Sequence, residues 1–229
     1  MKKIILSLTA IFAFGAISAQ ELVSSKGEEY LPKEGDWSIG FNVGNALTYL
    51  GQAFNGSTTN TAQNLFSANE NLLAFNSGVL SSTNAITFVG KKFDADNKAT
   101  RYIASLNFNI KSGKVNDGDS ETNTKFGLTV GYGKEWRKGV TRLQGYYGAD
   151  ALVGFVIPGK KQVGFGIGAQ GFVGAEYFIF PKVALGAQYT YGVSLTYENN
   201  SGTKSNNFGF NIGNETGFGI ASVTLNAYF

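Results

Sequence analysis

The chain has 229 residues, a formal net charge of +3, no cysteine and no histidine. A nearly neutral chain has no electrostatic footprint for nucleic acid, so no nucleic-acid partner is predicted. Disulfides are excluded, and without histidine no Ser-His or Cys-His catalytic pair can be built. The aromatic content of 14% argues against disorder. After the N-terminus, no apolar run approaches the ~20 residues of a membrane-spanning helix.

The first residues have the pattern of a secretory signal peptide. Lys2 and Lys3 form a positive head, residues 4–16 are almost wholly apolar, and the small residues Ser18 and Ala19 follow. A buried N-terminal helix is the alternative, but a processing segment explains every feature. We therefore predict a signal peptide over 1–19 and a polar, periplasmic N-terminal tail over 20–36.

From Trp37 onward, apolar residues alternate with small or polar ones, which is the period of a β-strand. The clearest case is 182–197, where the odd positions are mostly large and apolar. Most of these runs are about twice the ~5–6 residues usual in soluble strands, which disfavours a soluble sandwich. The alternation predicts eight strands, at 37–49, 84–93, 100–111, 123–136, 140–156, 162–178, 182–197 and 218–229.

Long strands with one apolar and one polar face are typical of a membrane barrel. The sequence thus predicts an all-β fold, an eight-stranded antiparallel up-and-down transmembrane β-barrel over 37–229. Alternate connections are mostly longer, as in barrels with short periplasmic turns, so both termini are expected in the periplasm. For residues 50–83, the sequence is compatible with either an amphipathic lid or a plain surface loop. Alternation at 208–212 allows the last connection to extend the barrel wall outward.

Two runs carry a resemblance to a known family. The C-terminal run 224–229, ending in Phe229, looks like the assembly signal of outer-membrane proteins. The run 177–189 resembles the sixth-to-seventh strand hairpin of the small outer-membrane β-barrel domain family, which includes the OmpA transmembrane domain, OmpX and OmpW. The resemblance implies a location in the outer membrane of a Gram-negative bacterium. It also implies contact with outer-membrane lipid and with the barrel-assembly machinery through the C-terminal strand.

Charged residues are predicted to face inward near the periplasmic end. Arg101, Glu135, Arg142 and Glu176 fall on successive predicted strands with alternating sign, and we expect them to form a ladder. Higher in the lumen we place three further polar residues, Asp150, Lys125 and Gln170. An eight-stranded interior is only just wide enough for side chains to fill, and buried charges there must pair. The ladder is interpreted either as a packed polar plug or as the gate of a narrow pore.

No catalytic, cofactor or metal site is predicted. The barrel enzymes of the outer membrane rely on histidine, which this chain lacks. The acidic runs 94–97 and 116–121 lack EF-hand spacing and are interpreted as solvated turns. The run 166–171 matches a dinucleotide-binding pattern, but strand alternation continues through it and no helix follows.

Two functions are compatible with this pattern. The family resemblance favours a porin-like protein that passes small solutes through a narrow lumen, and small residues at 164, 166, 168, 186 and 192 leave room for water. The ladder favours a non-conducting structural or adhesion barrel with a plugged polar lumen and interactive surface loops. A soluble lipocalin-like carrier is a third interpretation, but it requires apolar side chains inside.

Overall fold

The computed structural model describes residues 22–43, 86–114, 120–213 and 219–229. These contain nine strands and no helix, so none of the described residues form a helix that could cross a membrane. The all-β prediction is confirmed. The strands are β1 (Trp37–Asn42), β2 (Ile86–Ala95), β3 (Lys98–Lys114), β4 (Ser120–Lys138), β5 (Leu143–Gly159), β6 (Gln162–Phe180), β7 (Val183–Asn200), β8 (Ser205–Ile212) and β9 (Ile220–Tyr228).

The strands form one antiparallel sheet that closes into a ring. Each strand from β1 to β7 pairs with the next, and β9 pairs with both β7 and β1. The first half of β7 pairs with β9, from Val183 to Thr190, and its second half pairs with β8, from Val193 to Asn200. β8 and β9 therefore share one position in the ring. β8 covers the stretch at 208–212 that was expected to extend the wall.

Several strand boundaries differ from the prediction. β3 and β4 are longer, because their hairpin ladder continues from Lys98 to Lys114. The fifth strand begins at Leu143 instead of 140, because residues 139–142 turn. Gly139 has φ +141°, and the Leu143 amide donates to Thr141 Oγ1 at 3.2 Å. The predicted signal peptide, the end of the first predicted strand beyond residue 43 and the open segment 50–83 lie outside the described residues.

The two faces of the ring have opposite character. Along β7, Leu185, Tyr189 and Tyr191 are exposed on the outside, whereas Gln188 and Thr190 are buried inside. The other long strands follow the same alternation, which is the predicted assignment of faces. A lipocalin-like carrier would have the reverse arrangement, so the structure does not support that interpretation.

Three turns and both ends of the described chain lie at one end of the ring, which we name the tail end. The turns are 96–97, 139–142 and 181–182. The N-terminal segment 22–36 lies across this end, and the Tyr30 amide donates to Leu22 O within it. Tyr30 is only 8% exposed and packs with Phe93, Ala99, Phe178, Ala184 and Tyr228. The segment predicted as a polar tail is thus packed onto the ring.

Candidate functional site

Six charged side chains meet inside the ring near the tail end. They come from β2 to β6, and each is at most 4% exposed. Three are cations and three are carboxylates, so their formal charges sum to zero. We name this set the charge cluster: Lys91, Arg101, Glu135, Arg137, Asp150 and Glu176.

Glu135 lies between all three cations. Its carboxylate is 3.1 Å from Lys91 Nζ, 2.9 Å from Arg101 Nη1 and 3.0 Å from Arg137 Nε. The strands explain this convergence, because Lys91 and Arg101 are directly opposed in the β2–β3 ladder and Arg137 follows Glu135 by two residues on one face of β4. Charge-assisted contacts of this kind are the stronger hydrogen bonds of proteins.

Glu176 is the second centre of the cluster. Lys91 Nζ lies 2.8 Å from its carboxylate, and Arg137 Nη2 and the Tyr228 hydroxyl both donate to it. Asn226 Nδ2 adds a contact at 3.2 Å. Since Tyr228 and Asn226 belong to β9, the network links β9 across the interior to β2, β4 and β6.

Asp150 extends the cluster toward the other end of the ring. Arg101 Nε donates to Asp150 Oδ1 at 3.2 Å, and Gln170 Nε2 donates to Asp150 Oδ2 at 3.1 Å. Glycine makes room for this group, since a Cβ on Gly133 would lie 2.1 Å from Asp150 Oδ1. The absence of a side chain at Gly133 therefore leaves room for the Asp150 carboxylate.

Aromatic rings pack around the cations. The Arg101 guanidinium lies 3.9 Å from the centroid of Phe172, and Lys91 Nζ lies 4.8 Å from that of Tyr146. Arg137 lies 5.3 Å from the centroid of Phe93, which belongs to the layer under Tyr30. Cations over ring faces gain roughly 0.5–2 kcal/mol, and more when desolvated. The cluster is thus enclosed by apolar rings as well as by its own ion pairs.

Three of the four residues of the predicted ladder belong to the charge cluster, and so does Asp150, which was placed higher in the lumen; the fourth ladder residue does not. Arg101, Glu135, Glu176 and Asp150 meet inside the ring, together with Gln170. Arg142 precedes β5, and its guanidinium lies 3.6 Å from the centroid of Tyr30. The placement of Arg142 in the ladder was wrong, because the turn 139–142 keeps it off the strand.

The sequence did not predict Lys91 and Arg137 as interior charges, and Lys125, which was predicted to lie in the lumen, is outside the charge cluster. Arg137 falls one residue beyond the predicted end of the fourth strand, although a two-residue step from Glu135 would have found it. Lys91 lies inside a predicted strand, on the same face as Val89 and Phe93. Lys125 is half-buried and pairs with Asn109, far along β4 from the cluster.

The interior beyond Asp150 has a different composition. Its buried side chains are mostly short hydroxyls and amides, but Leu152 and Val156, which follow Asp150 on the inner face of β5, are apolar. Thr87 and Ser105 hydrogen-bond to each other. Among the described residues, the hydroxyls of Thr129, Ser194 and Ser222 have no hydrogen-bond partner. We name this region the far half and the region of the charge cluster the tail half.

The described residues contain no group of three or more His, Cys, Asp or Glu side chains that could hold a metal ion. Asp94 instead contacts Lys134 at 2.9 Å, and Asp96 accepts the Glu34 amide at 2.8 Å. Residues 115–119 of the second acidic run lie outside the described range. Comparison with protein-family models and with curated proteins finds no match. The function has to be inferred from the geometry of the ring.

Proposed function

We propose that this chain is an outer-membrane β-barrel with eight wall positions and a closed lumen, and that it acts as a structural or interaction protein. The eight positions are β1 to β7 and the position that β8 and β9 share. The observation that carries the closed lumen is the neutral, paired charge cluster in the tail half.

The outer face of the ring supports the membrane part. The alternation on β7 extends from Val183 to Tyr197, a distance of ~46 Å along a strand at ~3.3 Å per residue. A strand tilted by about 40° then spans roughly 35 Å, more than the ~25 Å apolar band of outer-membrane barrels. The outer face is rich in exposed apolar and aromatic side chains, for which outer-membrane lipid is the matching solvent. A closed ring also pairs the backbone groups that lipid cannot satisfy.

The tail half supports the closed lumen. An eight-stranded interior is filled by side chains, and here those side chains are ion-paired with one another. An ion entering from either end would have to break these pairs, each of which costs roughly 3–5 kcal/mol to break. Tyr30 and its aromatic neighbours add a second layer at the tail end.

The two ends of the barrel have different proposed roles. The tail end would face the periplasm, with both termini there, after removal of a signal peptide over 1–19. β9 and the exposed Phe229 would be the strand that the barrel-assembly machinery recognises. The far end would face the exterior of a Gram-negative cell. β1 ends and β2 begins at this end, and the turn 201–204 joins β7 to β8 there, so these connections are where we expect a partner to bind.

One observation favours a second candidate, a porin-like protein for small polar solutes. The unpaired hydroxyls of Thr129, Ser194 and Ser222 make the far half suited to water and small solutes. This half is continuous with the charge cluster through Asp150. In that case the cluster would act as a gate, and single-channel current across a planar bilayer separates the two candidates.

Tryptophan fluorescence tests the membrane part. The chain has two tryptophans, Trp37 and Trp136, and both are exposed on the outer face near the tail end. In vesicles, lipids brominated near the headgroup should quench this fluorescence more strongly than lipids brominated at the chain end, because aromatic girdles lie at the interface. Absence of quenching by either lipid in a correctly folded sample would contradict the proposal.

A further inference from the structure

The outer face of the ring carries charge on one side only near the tail end. Along the described parts of β1, β5, β6, β7 and β9, every residue on the outer face is uncharged. The neighbouring strands β2, β3 and β4 instead bear four lysines and one aspartate on this face near the tail end. We name this set the outer charge patch: Lys92, Asp94, Lys98, Lys134 and Lys138.

The patch begins at the same level on all three strands. Lys92 is directly opposite Thr100 in the β2–β3 ladder, and Thr100 is directly opposite Lys134 in the β3–β4 ladder. Directly opposed residues share a face of a sheet, so these side chains form one row. Toward the far end, the same face carries exposed apolar and aromatic side chains: Phe88, Tyr102, Leu106, Val130 and Tyr132. In a membrane-spanning barrel, such a boundary between rings and charges lies at the level of the lipid headgroups.

The single carboxylate of the patch is engaged within it. Asp94 contacts Lys134 Nζ at 2.9 Å and accepts a hydrogen bond from Thr100 Oγ1 at 2.7 Å. Lys134 Nζ also donates to Thr100 Oγ1 at 2.6 Å, and Thr100 is only 4% exposed although it lies on the outer face. One carboxylate cannot balance four lysines, so the patch keeps a net positive charge. Lys92 and Lys98 lie on either side of this ion pair.

Aromatic rings hold Lys92 against the outer face. Its Nζ lies 5.4 Å from the centroid of the Trp37 ring. Trp37 stacks on Tyr102 at 6.3 Å, and Tyr102 packs edge-on against Tyr132 at 5.8 Å. Lysine with tryptophan and tyrosine is the combination that proteins use at a membrane interface, where the rings contact the upper acyl chain and the ammonium reaches the headgroup.

We propose that the outer charge patch binds the phosphate group of an anionic phospholipid of the phosphatidylglycerol type, in the leaflet at the tail end. Lys92 and Lys98 contact the phosphate, and the acyl chains pack against Tyr102 and Leu106. A zwitterionic phospholipid binds less well, because its own ammonium already balances its phosphate. The inference rests on the membrane part of the proposed function and adds to it a choice among lipids.

The two tryptophans of the chain report on this patch. Trp37 lies under Lys92, and Trp136 is directly opposite Lys98 in the β3–β4 ladder. Vesicles of unlabelled phosphatidylcholine receive a small, equal fraction of either phosphatidylglycerol or phosphatidylcholine brominated at the same acyl-chain carbons. Brominated phosphatidylglycerol should quench more strongly, with a relative association constant of at least about fivefold, since one lysine near a membrane surface contributes about that factor.

The same experiment separates failure of the patch from failure of the membrane part. Equal quenching by the two lipids in folded protein would overturn the headgroup site and leave the membrane part standing. Absence of quenching by either lipid would contradict both. Folding is checked in each sample by heat-dependent gel mobility.

Two matched double variants show whether these lysines cause the preference. Lys92→Gln with Lys98→Gln removes two charges from the patch. Lys161→Gln with Lys204→Gln removes two charges from exposed turns at the far end, where the Ser201 amide donates to Lys161 O. The first variant should lower the preference for phosphatidylglycerol at least about threefold, and the second should keep it. A preference that survives in the first variant, or falls equally in both, would overturn the site.

Discussion

The two halves of the ring interior solve the same packing problem in different ways. In the tail half, long charged side chains fill the space and pair with one another, as Glu135 does with Lys91 and Arg101. In the far half, short side chains such as Ser194 and Thr129 fill it, and their hydroxyls stay unpaired. We therefore expect that a single substitution can disrupt the specific ion-pair network of the tail half. We expect the far half to tolerate removal of these hydroxyls.

The largest effect is expected from Glu176→Ala. Glu176 is fully buried and touches Lys91, Arg137, Tyr228 and Asn226. Its removal leaves two buried cations with less compensation, which should lower the free energy of unfolding by about 3–5 kcal/mol. Urea unfolding in lipid vesicles measures the loss. A change below about 1 kcal/mol would show that the network does not hold the tail half together.

A smaller and local effect is expected from Tyr30→Ala. Tyr30 packs with Phe178 and Tyr228 and lies under the Arg142 guanidinium. Loss of the ring should weaken docking of the N-terminal segment by roughly 2–3 kcal/mol. Trypsin cleavage after the exposed Lys33 should then accelerate.

Tyr30→Phe is the control for that measurement, because it keeps the ring and should keep wild-type cleavage. The unfolding midpoint of the barrel should change little in either variant. Unchanged cleavage in Tyr30→Ala would mean that the segment is held by its backbone hydrogen bonds alone, such as Gly35 N to Phe93 O at 2.9 Å.

Acid should release the same segment. Burial raises the pKa of the Asp36 carboxyl, but hydrogen bonds from the Lys182 ammonium and the Lys33 amide lower it further than burial raises it, to below its usual value of 3.8. A carboxyl with a lowered pKa stabilises the folded form above its unfolded pKa and loses that contribution as pH falls through the folded pKa. Docking should therefore weaken below about pH 4.

Hydrogen exchange of the Gly35 amide, corrected for intrinsic rates, measures this release. In the wild type, protection should fall between about pH 4 and pH 2, and in Asp36→Asn it should be lower at neutral pH and nearly independent of pH. The same acid-induced fall in Asp36→Asn would assign the effect to another group.

The smallest effect is expected in the far half. The Ser194 hydroxyl is buried and has no hydrogen-bond partner in the described part of the chain, so we expect Ser194→Ala to remove no hydrogen bond. The free energy of unfolding should change by less than about 1 kcal/mol, in either direction. A loss as large as that of Glu176→Ala would remove the contrast between the two halves.

The strands could be predicted from the sequence because their signal is local. The period-2 alternation on β7 identifies both faces without any tertiary information, and the burial of Gln188 and Thr190 follows from it. Arg101, Glu135 and Glu176 could be placed inside for the same reason. The hairpin order alone then brings these three strands close together.

The remaining features depend on information that alternation does not carry. Arg142 lies outside the interior because the turn at 139–142, in which the Leu143 amide donates to Thr141 Oγ1, makes β5 begin only at Leu143. Arg137 was not predicted because the exact end of β4 depends on its pairing with β5, where Arg137 is opposite Tyr146. The docking of Tyr30 depends on a hydrophobic layer assembled from five strands, β2, β3, β6, β7 and β9, and no pattern within 22–36 indicates it. The split of the last ring position into β8 and β9 is likewise a matter of long-range pairing with β7.

Single-channel current across a planar bilayer tests most directly the central claim that the charge cluster closes the lumen. The wild type, refolded and showing heat-dependent gel mobility, is compared with the double variant Arg137→Ala, Glu176→Ala. This variant removes one charge of each sign and keeps the cluster neutral. The account predicts a silent wild type and discrete current steps in the double variant. Discrete steps in the wild type would contradict the closed lumen and leave the porin-like function as the better description.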